Sequence, residues 1–159
     1  MFSICLLLFS CRNKMPSNEK YYSSGAIKEL TVPDKKIPGI EIVYSFYETG
    51  GIKEIHRYNK KKQMQGEQFW FFDNGILDRK IPIYNDKAEG NAYYFYPKNG
   101  ALKNDRYFRN DKQDFYGADY WGDSMGTVKA SLHFNDSGDV YYKKNFDQNG
   151  RFISEEGKR

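Results

Sequence analysis

Two histidines, a few turn aspartates and one lysine run are the residues of this chain whose types and spacing could do chemistry. His56 and His133 could ligate a metal or move a proton. Neither has a second His or a Cys at metal-ligand spacing, so each reads as a surface or half-buried strand residue. Asp136-Ser137-Gly138-Asp139 and Asp147-Gln148-Asn149-Gly150 hold fragments of a calcium loop but lack its closing Glu. Asp, Asn and Ser bond locally to the backbone in turns, which accounts for these fragments without an ion. Lys60-Lys61-Lys62 sits at an expected bend and reads as a solvated loop, with contact to lipid headgroups or an acidic partner as the other reading. No glycine-rich phosphate cradle is present. The expectation is no catalytic residue, no metal, no cofactor and no enzymatic activity.

Cys5 and Cys11 are the only cysteines. The body of the chain therefore has no disulfide framework and no cysteine zinc site. The apolar run that ends at Cys11 is too short for a bilayer span of about 20 residues, but it fits the apolar core of an export signal. Leu8-Phe9-Ser10-Cys11 resembles the lipobox of bacterial lipoproteins, and that resemblance implies lipidation at Cys11. No Lys or Arg precedes Cys11, where a basic region normally opens such a signal. The expected organisation is a signal segment over 1–11, a polar linker over 12–19 and one domain over 20–159. The expected location is the bacterial cell envelope, held to the membrane by lipid, or the cytoplasm if the signal is not used.

What would position any functional residue is a repeat. Gly25, Gly50, Gly75 and Gly100 recur every 25 residues, each in a short aromatic–polar–Gly segment. Gly126 follows one residue late, and Gly138 and Gly150 follow at about half spacing. Two residues after each Gly stands an apolar residue: Ile27, Ile52, Leu77, Leu102, Val128, Val140 or Phe152. Aromatic pairs precede the Gly by six and four residues: Tyr44 and Phe46, Phe69 and Phe71, Tyr94 and Tyr96. Residues two apart in a strand share a face, so each copy reads as two strands joined by a tight turn. Asn74-Gly75, Asn99-Gly100 and Asn149-Gly150 are strong hairpin dipeptides, because both residues tolerate positive φ. Second bends are expected over 60–66, 85–90 and 110–117, and a proline-broken loop over 31–40. The expected fold is all-β, an elongated twisted antiparallel sheet of tandem hairpins capped by single hairpins at the C-terminal end. Stability should approximate a sum of nearest-neighbour terms.

The segments 71–90 and 96–117 combine the Asn-Gly turn with an Asn-Asp-Lys bend. They resemble the MORN repeat variant, the module of the bacterial YwqK-type toxin–antitoxin antitoxin family. The resemblance covers roughly 20–156. It implies a binding scaffold, and an antitoxin role as one form of it. Gly122-Asp123-Ser124 resembles the nucleophile block of GDS-type esterases, but it lies late in the chain. The Asp that should precede His133 by three is Ala130. Its place in the fifth hairpin explains it better.

Aromatics make 18% of the chain, with 14 Tyr, 12 Phe and 2 Trp. Both faces of some strands are aromatic, which a thin sheet cannot bury. Trp70, Tyr93, Phe95, Tyr120 and Trp121 are therefore candidates for an exposed binding strip; a two-sided core is the equal alternative. The net charge of +4 does not by itself point to nucleic acid. The expected function is non-enzymatic interaction with an unidentified protein or envelope component, and glycan stacking on the aromatic strip is an alternative.

Overall fold

The computed structural model describes residues 18–123 and 125–157. Its strands follow in chain order: β1 (Asn18–Tyr21), β2 (Ile27–Pro33), β3 (Glu41–Phe46), β4 (Ile52–Tyr58), β5 (Gln65–Phe71), β6 (Leu77–Tyr84), β7 (Lys87–Ala88), β8 (Gly90–Phe95), β9 (Leu102–Arg109), β10 (Lys112–Tyr120), β11 (Val128–Phe134), β12 (Val140–Phe146) and β13 (Phe152–Gly157). All belong to one antiparallel sheet in sequential order; the two-residue β7 pairs β6 and leads into β8. The fold is all-β, an open meander of hairpins. Substantial contacts join only strands that neighbour each other in the sheet, so it is a single layer.

Its two turn edges use different chemistry. On the glycine edge, the turn Gly takes positive φ, from +68° to +93° across Gly25, Gly50, Gly75, Gly100, Gly126, Gly138 and Gly150. The register shifts by one before each turn, as in hairpins closed by a glycine bulge. Each shift sets the last aromatic of the incoming strand against the apolar residue two after the Gly, as in Phe46↔Ile52, Phe71↔Leu77 and Phe95↔Leu102. The hairpins close at the Asn-Gly dipeptides with the glycine alone at positive φ. Asn74, Asn99 and Asn149 are not among the residues with positive φ. Two of them act through their side chains instead: Asn74 Nδ2 donates to Pro97 O, and Asn99 Nδ2 donates to Gly122 O, both at 2.8 Å. Turns with two positive-φ residues sit on the opposite, bend edge, at Asn85-Asp86 and Asn110-Asp111. The bends are thus tighter than expected, and Gly66, Gly90 and Gly117 fall inside the following strands or at their start. The loop is also shorter than expected, because β2 continues to Pro33.

Both edges are stapled between repeats. On the glycine edge, Tyr22 Oη donates to Phe46 O, Tyr47 Oη to Phe71 O, Tyr96 Oη to Tyr120 O, and Trp121 Nε1 to Phe146 O, at 2.7–3.3 Å. On the bend edge, the Asp86 carboxylate accepts from Met64 N and the Asp111 carboxylate from Ala88 N.

Pro97 explains one departure in phase. The turn-opening residue donates its N–H across the turn, as Phe72 N does to Ile76 O. Pro97 holds the matching position and has no N–H. The turn therefore opens one residue earlier, with Tyr96 N donating to Ala101 O. As a result Tyr93 and Phe95, not Tyr94 and Tyr96, take the places of Phe69 and Phe71.

Candidate functional site

Directly paired residues share a face, so register sorts the side chains. One face carries Phe69, Lys80, Tyr93 and Asp105 in successive strands, together with Phe71 and Phe95. We call it the aromatic face. The other carries Trp70, Arg79, Tyr94, Asn104 and Asp119, with His56, Gln68, Ala92, Arg106, Gly117 and Leu132 alongside. We call it the polar face.

The polar face is the better buried. Gln68 and Ala92 are both 0% exposed, and His56, Ala130, Leu132 and Phe134 are buried beside them in the sheet. Gln68 is inserted where the β4–β5 ladder opens. Between the Ile55↔Phe69 and Tyr58↔Met64 pairs, its Oε1 accepts from Arg57 N at 2.8 Å, and its Nε2 donates to Gly66 O and Arg57 O. A buried backbone must be satisfied, and here a side-chain amide replaces the missing rung. Arg106 does related work between β9 and β10. Its guanidinium donates to Asp105 O, Ala118 O and the Asp119 carboxylate, and it passes over Gly117 toward the Phe134 ring. A Cβ on Gly117 would lie 2.8 Å from Asp105 O and 2.9 Å from Arg106 Cδ, so only glycine admits this approach.

His56 departs from the expected surface or half-buried position. It is 9% exposed, packs edge-on to Trp70 with centroids 4.9 Å apart, and its Nε2 has no partner among the described residues. Burial holds its pKa below the ordinary value; Glu54 works against that, and Arg79 adds to it.

The five nominated aromatics do not form one strip. Trp70 lies on the polar face, Tyr93, Phe95 and Tyr120 on the aromatic face, and Trp121 at the glycine edge. All five are half-buried. Three carry cations over their rings: Arg79 on Trp70 at 4.7 Å, Lys80 on Tyr93 at 5.2 Å and Lys129 on Trp121 at 5.0 Å. Tyr120 donates to the Asp105 carboxylate, and its own pKa is raised by burial first and by Asp105 second. The more exposed aromatics lie elsewhere, among them Tyr84, Phe115, Tyr116, Tyr141 and Phe152. The signal at Phe115 is backbone strain, since it takes φ +61° in the β10 bulge and lies against Tyr107 and Arg109.

The remaining candidates close turns. Asp123 Oδ1 accepts from Thr127 N and Met125 N, and the bond from Thr127 leads in lowering its pKa. Asp147 Oδ1 accepts from Asn149 N and Arg151 N. Ser124, Cys5 and Cys11 lie outside the described residues. Among the described residues no group of three or more His, Cys, Asp or Glu is placed to hold a metal.

No protein-family model matches the chain, and no curated protein matches it. Among solved structures, a TarM mutant of S. aureus in complex with fondaparinux, α-GlcNAc-glycerol and UDP aligns with 77% of this chain at TM-score 0.32 and 11% identity. The chain spans 18% of that protein.

Proposed function

We propose that this chain is a non-enzymatic repeat scaffold that binds a protein or cell-envelope component through the aromatic face of its sheet. The observation that carries this reading is an inversion of the usual burial. Among the described residues the buried side chains, Tyr142 excepted, lie on the face richer in charge and amide groups, whereas Phe69, Phe71, Tyr93, Phe95 and Tyr120 stay half-buried in a single-layer sheet. Uncovered apolar surface of this kind marks interaction sites. The cations over Trp70, Tyr93 and Trp121 occupy ring faces that a sugar would need, which favours a protein partner over a glycan. In this reading Cys11 carries the lipid that holds the scaffold at the membrane, and neutralisation of a partner toxin is one form that the binding takes.

Site-specific photocrosslinking of the full chain in its native membrane fraction tests the proposal. A crosslinker at Phe95 should give a discrete protein adduct, and one at Asn104 on the polar face should not. Equal labelling from both positions, or none from Phe95, would sink it.

A further inference from the structure

On the bend edge of β2–β5 two turns come together. The loop 34–40 and the bend 59–63 are tied by Arg57, whose Nε lies 3.7 Å from Asp34, and by the ion pair of Lys62 with Glu41. Lys60 lies across Gly39, its Cε 2.8 Å from where a Cβ would fall. Between these turns and Asn85 is a hollow of about 490 Å³, lined in part by Gly39, Asn59, Lys60, Lys61, Gln63 and Asn85.

Its hydrogen-bonding groups are used unevenly. The side-chain amide oxygens are taken. Asn59 Oδ1 accepts from Lys61 N and Gln63 N, and Asn59 Nδ2 donates to both Gln63 Oε1 and Asn85 Oδ1. Asp34 accepts from Lys36 N and Ile37 N and faces Arg57, and Glu41 holds Lys62. The donors are left over. Among the described residues no protein acceptor reaches Gln63 Nε2, Asn85 Nδ2 or the ammonium groups of Lys35, Lys36, Lys60 and Lys61. Six basic side chains (Lys35, Lys36, Arg57, Lys60, Lys61, Lys62) stand against two acids, Asp34 and Glu41.

We propose that this hollow binds a soluble linear oligophosphate. Side chains whose amide oxygens are used and whose N–H groups are left over fit a ligand rich in acceptors. Ionised phosphoryl oxygens meet that condition, and lysine serves them as a point charge. Lys60 and Lys61 line the hollow, and Lys35 and Lys36 stand on the neighbouring turn 34–40, so the positive charge extends past the span of one small anion, which points to several phosphoryl groups in a row.

The test is calorimetric titration of the full chain with tripolyphosphate at moderate salt, where exposed charges are screened beyond about 10 Å. Lys60→Glu with Lys61→Glu should weaken binding at least tenfold. Lys98→Glu with Lys103→Glu, the same charge change on the glycine edge, should alter it less than twofold. Orthophosphate and hexaglutamate should bind more weakly than tripolyphosphate. Equal losses in the two double variants, equal binding of hexaglutamate, or no tripolyphosphate binding would overturn the proposal. So would capture by phosphatidylglycerol vesicles without tripolyphosphate binding, which would assign the lysines to a lipid surface. Thermal melts of both variants, whose changes are all at exposed lysines, should match the parent chain.

Discussion

The two faces of this sheet reach similar ends by opposite means. The polar face is held by directed bonds: the Gln68 amide replaces a backbone rung, and Arg106 threads over Gly117 to three acceptors. On the aromatic face Asp105 also accepts from Ala118 N and Tyr120, but the half-buried rings meet aliphatic or cationic cross-strand neighbours, Phe71 paired with Leu77, Phe95 with Leu102 and Tyr93 under Lys80. Directed bonds fail abruptly when one partner is removed, because the other is left buried and unsatisfied. Area contacts fail gradually. The difference predicts that stability is concentrated on one face and binding on the other.

The largest expected effect is Gln68→Ala, which strips Arg57 N–H and C=O of partners inside the sheet and should cost about 3 kcal/mol. Urea unfolding measures it, and a loss under 1 kcal/mol would show that water or backbone relaxation restores the rung. Gly117→Ala comes next. Its new methyl meets a backbone carbonyl that cannot swing aside, so a loss of about 2 kcal/mol is expected from the forced shift. A neutral result would mean that the β10 bulge absorbs the displacement.

His56 gives a smaller effect with a definite sign. Its folded-state pKa lies below its unfolded value of 6.5. The unfolded chain therefore takes up the proton first as pH falls, and stability drops below pH 6.5. Above that value both states are neutral and the contribution is constant. Melting temperature should fall between pH 7 and pH 5, and His56→Phe should remove that part of the slope. An unchanged slope would place the titration elsewhere.

The smallest stability effect is assigned to the aromatic face. Tyr93→Ala should cost about 1 kcal/mol, since a half-buried ring gives up only part of its transfer energy, yet it should reduce adduct formation from Phe95 several-fold. A large stability loss with unchanged crosslinking would erase the distinction between the faces.

The hairpin array was legible in the chain because glycine is the residue that takes positive φ without strain, and because the apolar residue two positions later pairs across the turn with an aromatic. Face assignment was less legible. A spacing of 25 between Gly75 and Gly100 suggests identical phase, but Pro97 lacks the N–H that the turn needs and moves Tyr93 and Phe95 into the aromatic row. That slip separates Trp70 from Tyr93, two residues that alternation alone had grouped. Gln68 could not be found by pattern. It stands between Glu67 and Phe69 like any solvent-facing strand residue, and its burial arises from the opening of the β4–β5 ladder. The lysine hollow was visible as a run at 60–62, whereas the contribution of Lys35 and Lys36 depends on the loop folding back beside it.

The staples from Tyr22, Tyr47, Tyr96 and Trp121 each reach 24 or 25 residues along the chain. A sheet whose contacts close over so short a span has little loop entropy to overcome. Ribosomes add roughly 5–20 residues per second, so a new repeat emerges every few seconds. Hairpins form in roughly 1–10 μs. Each repeat can therefore find its strand neighbour and its tyrosine acceptor long before the next is made, and the folding front keeps pace with synthesis from the first hairpin to the last.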